Sequence, residues 1–414
     1  MNQHYAFVHY GFPDIPNVSN AGNVIQSLAA AAFLPRIDCM IPCLDIDNHL
    51  PGEYTKIIMN GYFLPHYYSD DYKVYMTEQI FKKWRNLEPL LVSMHLDNKI
   101  LRERNIPKVR DSAAEFFKEF GPVGTRDEST LQVLEANEIP SYKSLCLTLT
   151  LQKRECCPNH GRILFGDISD RLADKFQKES QDEAIDIACL YKWYWDTPEC
   201  TDEIMLGEYL LDMIQGARLV ITSRLHIAAP ALALGTPLLF IPDTGENGPR
   251  VGDMRTNARL SDYADLFNVA YTNQILSGEY KIDVNSPAPN PEKHIPYRQK
   301  MVETVRKFIG SECPYQPNGF RTSALDKMQG LITSNDLINT RNFLLTQQVK
   351  FLNRYRRNLL NRAFVQMWKV LGFREKSLER YYPLYHREHP SLVMKIARKT
   401  KHILHLPDFR KGAE

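Results

Sequence analysis

The chain has 414 residues, too many for one ordinary domain, and at 43% hydrophobic and 24% charged it has the material for two globular cores. No apolar run approaches the roughly 20 residues that a membrane-spanning helix needs, which argues against an integral helical membrane protein. The formal net charge of +2 is unevenly spread: residues 350–414 hold 16 Lys/Arg against 5 Asp/Glu, so this segment carries +11 and the remainder −9.

Met1–His4 leads straight into an apolar run, with no charged leader and no cleavable apolar segment, so a cytoplasmic protein is expected. Tyr5–Tyr10 is β-prone and ends at Gly11. In Ala21–Phe33, Val24, Ile25, Leu28, Ala29 and Ala32 fall on one face of a helix. Strands are predicted at Ile37–Ile41, Lys56–Asn60 and Leu90–His95, then a helix at Ser112–Phe120, a short strand at Pro122–Thr125 and a helix at Asp127–Asn137. Tyr142–Leu151 reads as one more strand. Gln152–Gly161 has no periodicity and marks a domain boundary.

A second set follows. It comprises a strand at Arg162–Ile168, an acidic helical stretch, a helix at Thr201–Gln215, a strand at Arg218–Thr222 and a helix at Ile227–Leu234. Strands at Pro237–Ile241 and Asn268–Thr272 and a helix at Tyr297–Ile309 complete it. Short apolar strands alternating with helices imply an α/β class, with parallel sheets covered on both faces. The expected organisation is an N-terminal domain at 1–155, a second at 156–312 and a basic helical extension at 313–414.

The densest chemical signal is Gly216–Ile241, where a buried strand ends in Ser223-Arg224-Leu225-His226 and a helix begins at once. Ligands of parallel α/β sheets bind beyond the carboxyl ends of the strands, where the next helix presents unbonded N–H groups. Arg224 offers a planar fork for phosphate or carboxylate, and His226 can hold a transferable proton near neutral pH. The plainer alternative is an Arg paired with a loop carboxylate and a His capping a helix. Gly121–Thr130 repeats the theme, with Arg126 after a short strand and Asp127 at a helix N-cap position. A cation at a helix start opposes the dipole and needs an anionic partner.

These segments resemble the polysaccharide pyruvyl transferase family. The resemblance rests on SRLH followed by Gly235-Thr236-Pro237, on Val18–Phe33, Met59-Asn60-Gly61-Tyr62, Pro89–His95, Gly121–Asp127 and Ser144–Leu149, in order across residues 5–310. It implies two Rossmann-like domains in a glycosyltransferase-B-like arrangement, with phosphoenolpyruvate as donor and no cofactor or metal. It also implies donor contacts from Arg126, Ser223, Arg224 and Leu225, with His226 as the acid. Asn23 stands where the family has Asp, and Tyr62 where Trp is expected. Asn20, Asn23, Asn60 and His95 are candidates for contacts to a saccharide or lipid-linked oligosaccharide acceptor. A sugar-nucleotide glycosyltransferase on the same frame and a non-catalytic assembly factor are the alternatives.

Other features weigh less. Asp45-Ile46-Asp47 has a D-x-D form but reads as an acidic loop, and Glu246–Arg250 is a loop whose Glu or Arg could touch substrate, though turn formation explains it equally well. Neither a G-x-G-x-x-G nor a Walker-type glycine loop is present. The eight cysteines, at 39, 43, 146, 156, 157, 189, 200 and 313, lack paired C-x-x-C spacing and are expected to be free thiols. In the basic tail, Leu359, Leu360, Phe364, Met367, Trp368 and Leu371 form an apolar stripe among Arg356, Arg357, Arg362 and Lys369. It suits docking on the body or on a second subunit, or a peripheral anchor on the inner membrane leaflet. Nucleic acid is not expected, because no binding module is present.

Overall fold

Short apolar strands and helices alternate from His4 to Ile309 and build two parallel sheets. The computed structural model describes residues 3–10, 21–42, 55–63, 81, 84–96, 107–154, 157, 159–182, 184–186, 200–244 and 254–310. The basic tail, Asn20, Asp45-Ile46-Asp47 and Glu246–Arg250 lie outside the described residues.

The first sheet contains β1 (His4–His9), β2 (Cys39–Pro42), β3 (Thr55–Phe63), β4 (Glu88–Leu96), β5 (Val123–Thr125) and β6 (Ser141–Lys143). Its order is β2-β1-β3-β4-β5-β6, with every pair parallel. The second contains β7 (Ile163–Gly166), β8 (Ile185–Asp186), β9 (Leu219–Thr222), β10 (Leu238–Phe240) and β11 (Asn268–Val269), in the order β11-β10-β9-β7-β8, again all parallel. Counted from its own first strand, each sheet begins 2-1-3-4-5, the doubly wound order whose ligand crevice opens between strands 1 and 3. That crevice lies between β1 and β3 in the first half and between β7 and β9 in the second.

Side chains alternate across β1. Ala6, Val8 and Tyr10 join an aromatic core in which Phe81, Trp84, Phe116 and Phe117 are fully buried. These rings meet edge-on or tilted at 5.5–6.0 Å, and each contributes roughly 1.5–3 kcal/mol of burial energy. Phe116 and Phe117 come from α2 (Pro107–Phe120), which starts earlier than the apolar spacing predicts. On the opposite side, α1 (Ala21–Ala31) packs on β1 and β3 and also meets α5 (Cys200–Gln215) of the second half. There His9 Nε2 lies 2.8 Å from Glu203 Oε2, and both side chains are fully buried. Strand β1 and helix α5 are thereby tied across the two halves.

Two expectations are corrected. Tyr142–Leu151 is not one strand: β6 stops at Lys143, and Leu147–Thr150 is a buried 3-10 turn. Leu145 sits at φ 63°, Ser144 Oγ accepts from Ser93 N at 3.0 Å, and Ser93 Oγ accepts from Leu147 N at 2.6 Å. These hydroxyls take over backbone groups that a sheet ladder would have bonded. The run Asn268–Thr272 likewise keeps only β11, because Thr272 opens α7 (Thr272–Ser277). The remaining helices are α3 (Glu128–Glu135), α4 (Asp170–Glu179), α6 (Leu225–Leu234) and α8 (Ile295–Ile309). Helix α8 returns to the first half, where Lys56 Nζ donates to Phe308 O at 2.7 Å. No described helix is long and apolar enough to cross a membrane.

Candidate active site

In the second half, β7 and β9 end side by side at the crevice. Asp167 follows β7 with φ 55°, a left-handed conformation that few residues other than Gly and Asn/Asp tolerate. Its carboxylate is ion-paired with Arg224, and its carbonyl accepts from Ser223 Oγ at 2.6 Å. Arg224 is the N-cap of α6, and its N–H is held by Thr222 Oγ1 at 3.0 Å. Helix α6 begins at Leu225, two residues earlier than its apolar run predicts, so His226 belongs to its first turn. Residues 227–234 are all buried, which suits a helix apolar on every side. Pro230 offers no N–H to the His226 carbonyl, so the first turn is held by Ile227 N and Ala228 N bonding Arg224 O at 3.1 and 2.9 Å. Gly235 ends the helix at φ 77°.

In the first half, Arg126 leaves β5 with only 5% of its surface exposed, its N–H bonded to Met94 O at 2.8 Å. Its guanidinium donates to Gln26 Oε1 at 2.8 Å and lies 3.8 Å from Asp127 Oδ2. Asp127 caps α3 as expected: Oδ1 accepts from Thr130 N at 3.0 Å and Ser129 Oγ at 2.6 Å. Its other oxygen lies 2.5 Å from His95 Nδ1. A carboxylate only accepts, so His95 donates its Nδ1 proton there.

The two halves meet at these residues. Arg126 Nη1 lies 3.4 Å from His226 Nε2, a long contact between the two predicted motifs. The Tyr263 hydroxyl of the second half donates to Arg126 O at 3.0 Å. Ser129 N, in the first turn of α3, donates to Ala258 O at 3.1 Å, and Lys143 Nζ bridges Glu128 and Asp262 at 2.9 and 2.6 Å.

The electrostatics follow from this crowding. Burial holds the His226 imidazole well below its ordinary pKa, and the positive charges of Arg126 and Arg259 push the same way. The partial positive charge at the start of α6 adds to that push. Burial lowers His95 to about 4, outweighing its bond to Asp127, with Arg126 and Arg259 again contributing. Burial alone would raise the Asp127 carboxyl, but the His95 hydrogen bond, Arg126 and the Ser129 hydroxyl hold it well below the usual carboxylate range. At neutral pH Asp127 is therefore ionised and both imidazoles are neutral.

Residues 104–243 match the family model of polysaccharide pyruvyl transferases. This segment is thus similar to a polysaccharide pyruvyl transferase domain. That match takes in Arg126, Ser223, Arg224, Leu225 and His226, while β1–β4 with His95 precede it and Arg259 follows it. No curated protein gives a significant match. A solved structure of an uncharacterized protein from Klebsiella pneumoniae subsp. pneumoniae is 13% identical over 65% of this chain and 92% of that one. Its TM-score is 0.35, a likeness too weak to add to the fold.

Around the pyruvyl transferase motifs, the anionic partner expected for Arg126 is its own neighbour Asp127, with Gln26 alongside. Arg224 does pair with a loop carboxylate, Asp167, a residue that the sequence reading did not single out. Asn60 is buried and donates its amide to Gln26 O at 2.9 Å, and Asn23 accepts from Gln26 Nε2 at 3.3 Å. Both candidate acceptor contacts thus hold the residue that holds Arg126. Gln26, Asp167, Arg259 and Tyr263 carry no motif of their own; their place beside the motif residues exists only after folding. Among the described residues no three His, Cys, Asp or Glu side chains gather as a metal-binding group.

Proposed function

We propose that this chain transfers a pyruvyl group from phosphoenolpyruvate to hydroxyls of a saccharide, forming a pyruvate ketal and releasing phosphate. The reading rests above all on the approach of Arg126 to His226, which brings the two arginine motifs of the pyruvyl transferase resemblance to one place. In this reading the donor's phosphate and carboxylate are gripped by Arg126, Arg224 and the N–H groups opening α6, with Ser223 and Leu225 lining the same junction. The two sheets form the halves of a glycosyltransferase-B-like pair. The first half lies on the acceptor side, where the acceptor candidate His95 shares Asp127 with Arg126.

The chemistry needs a proton on the methylene carbon of the donor. His226 on its own is neutral, because burial and the two arginines disfavour its cation. A donor bearing two or more negative charges reverses that balance, so the imidazole takes up a proton as the donor binds. Delivery of that proton to the methylene carbon makes a methyl group and leaves positive charge at the central carbon. A saccharide hydroxyl adds there, the phosphate departs with its bonding electrons, and a second hydroxyl closes the ketal. Of the two hydroxyl protons, one replaces the proton lost by His226 and the other leaves with phosphate. General-acid help of this kind is worth about 10²–10⁴-fold, and the arginines stabilise the departing phosphate further. The acceptor class is a surface polysaccharide or its lipid-linked precursor, reached from the cytoplasm, with the basic segment at 350–414 as the element to meet an anionic membrane.

The test is phosphate release from phosphoenolpyruvate in the presence of glycosides bearing 1,2- and 1,3-diols, with mass spectrometry of the product for a ketal. His226→Ala should lower single-turnover rates by about 100-fold or more while the donor dissociation constant stays within a few-fold. A mutant within ten-fold of wild type would remove the acid role. Release that depends instead on a sugar nucleotide would replace the whole reading with glycosyl transfer.

A further inference from the structure

The backbone of Arg126 is fixed by its N–H bond to Met94 O and by the Tyr263 hydroxyl on its carbonyl. Its guanidinium meets Gln26 Oε1 at 2.8 Å, His226 Nε2 at 3.4 Å and Asp127 Oδ2 at 3.8 Å. The contact with Gln26 is the shortest of these, and Gln26 is 1% exposed. An amide oxygen holds a guanidinium through a lone pair and carries no net charge, so it orients the fork and leaves the positive charge for a ligand. A carboxylate in its place would pair with Arg126 and oppose an anionic donor.

The Gln26 amide is turned by its surroundings. Arg126 only donates, so Gln26 offers its oxygen there, and its Nε2 faces Asn23 Oδ1 at 3.3 Å. The reverse orientation would set two donors against each other. The backbone beneath is held as well: Gln26 O takes the amide of Asn60, on β3, at 2.9 Å, and the next residue, Ser27, accepts from Tyr10 N at 2.9 Å. Val24 and Leu28, four residues apart, share the other face of α1. They approach α5 so closely that a Cβ on Gly207 would lie 3.0 Å from Val24 Cγ1 and 2.8 Å from Leu28 Cδ1. Helix α1 is thus clamped between the first sheet and the second half, with Gln26 turned toward Arg126.

We propose that Gln26 is a positioning residue for donor binding: it sets the guanidinium of Arg126, and Asn23 and Asn60 serve as its frame and not as acceptor contacts. The inference rests on the phosphoenolpyruvate reading above, which assigns Arg126 to the donor. It adds to that reading a residue of α1, outside the matched segment 104–243. Gln26 acts through Arg126 and takes no part in proton transfer.

The test is a double-variant cycle in the full chain. It combines Gln26→Met, which keeps the length of the side chain but lacks the acceptor, with Arg126→Met. Calorimetry should show phosphoenolpyruvate bound about five-fold or more weakly by Gln26→Met, and a further loss of less than about two-fold when the same change is made in Arg126→Met. Equal losses in the two backgrounds would overturn the proposal, since a role in the fold alone acts whether or not Arg126 is present. Urea unfolding of the same four proteins needs no donor. The stability losses should be non-additive, because either change breaks the same bond, and additive losses would also count against the proposal. If Gln26→Met does not fold, the half-buried Asn23 carries the test. Asn23→Ala should weaken donor binding and leave the KM of a saccharide acceptor within about two-fold, and Asn23→Asp, which keeps an acceptor for Gln26 Nε2, should recover part of the loss. A raised acceptor KM with unchanged donor binding would return Asn23 to the acceptor and sink the idea. Failure of wild type to bind phosphoenolpyruvate, with the stability coupling present, would bring down the donor reading and this role with it. Additive losses with wild-type binding intact would strike the positioning role alone.

Discussion

Replacing Gly166 with Ala tests whether the β7–α6 packing sets the donor site. A Cβ at this position would lie 2.5 Å from Ile227 Cδ1, 2.7 Å from Thr222 Oγ1 and 3.1 Å from Thr222 Cβ. Ile227 Cδ1 is the tip of a flexible side chain and can turn away. Thr222 is less able to yield: it is β-branched, its Oγ1 donates to Gly166 O at 2.7 Å, and that same oxygen accepts from Arg224 N at 3.0 Å. Overpacking of this kind costs about 1–3 kcal/mol. Loss of one or both Thr222 bonds adds about 0.5–1.5 kcal/mol each, so about 1.5–6 kcal/mol in all is expected. Urea unfolding of Gly166→Ala against wild type reads this directly. The double variant Gly166→Ala/Ile227→Val should regain only the share due to the Ile227 tip, because Thr222 remains displaced. Because Arg224 N hangs on Thr222, the single variant should also bind the donor more weakly. Stability within about 0.5 kcal/mol of wild type would show that the junction has slack, and the account of how Arg224 is positioned would be wrong.

Other outcomes follow from the same geometry. Arg126→Met should raise the donor dissociation constant ten-fold or more, since a charge-assisted bond contributes roughly 1.5–3 kcal/mol, and calorimetry checks it. An unchanged constant in that variant would remove Arg126 from the donor site. Acid should destabilise the fold before carboxylates titrate. His95 at about 4 in the folded chain, against about 6.5 unfolded, means that the unfolded state binds more protons in that window. Stability is therefore full above pH 6.5 and falls by about 3 kcal/mol on descent to pH 4, with His226 adding to the loss. Urea unfolding at several pH values measures the slope, and His95→Asn should flatten it; an unchanged slope would place the loss elsewhere.

The sequence by itself settled the class of the fold and the identity of the motif residues. Runs such as Leu219–Thr222 are apolar over their whole length, which only a strand covered on both faces can bury, and Ser223–His226 stands directly at the end of that strand. Asp127 as a helix cap was legible because capping is local: Thr130 lies three residues along the same turn. Where local rules were outvoted, the cause was contact from afar. Tyr142–Leu151 has the apolar content of a strand, yet Ser93, about 50 residues earlier in the chain, bonds Leu145 O and Leu147 N and bends the run into a turn. Only the tertiary structure decided which charges meet. Asp167 reaches Arg224 because β7 and β9 are neighbours in the sheet, although 57 positions separate the two residues. Arg126 and His226 lie 100 positions apart and approach because the two halves close on each other through Ala258, Asp262 and Tyr263. Spacing along a chain records what one helix or strand brings together; a site assembled from the ends of different strands is written in the order of the sheets, which the sequence holds only through the energy of their packing.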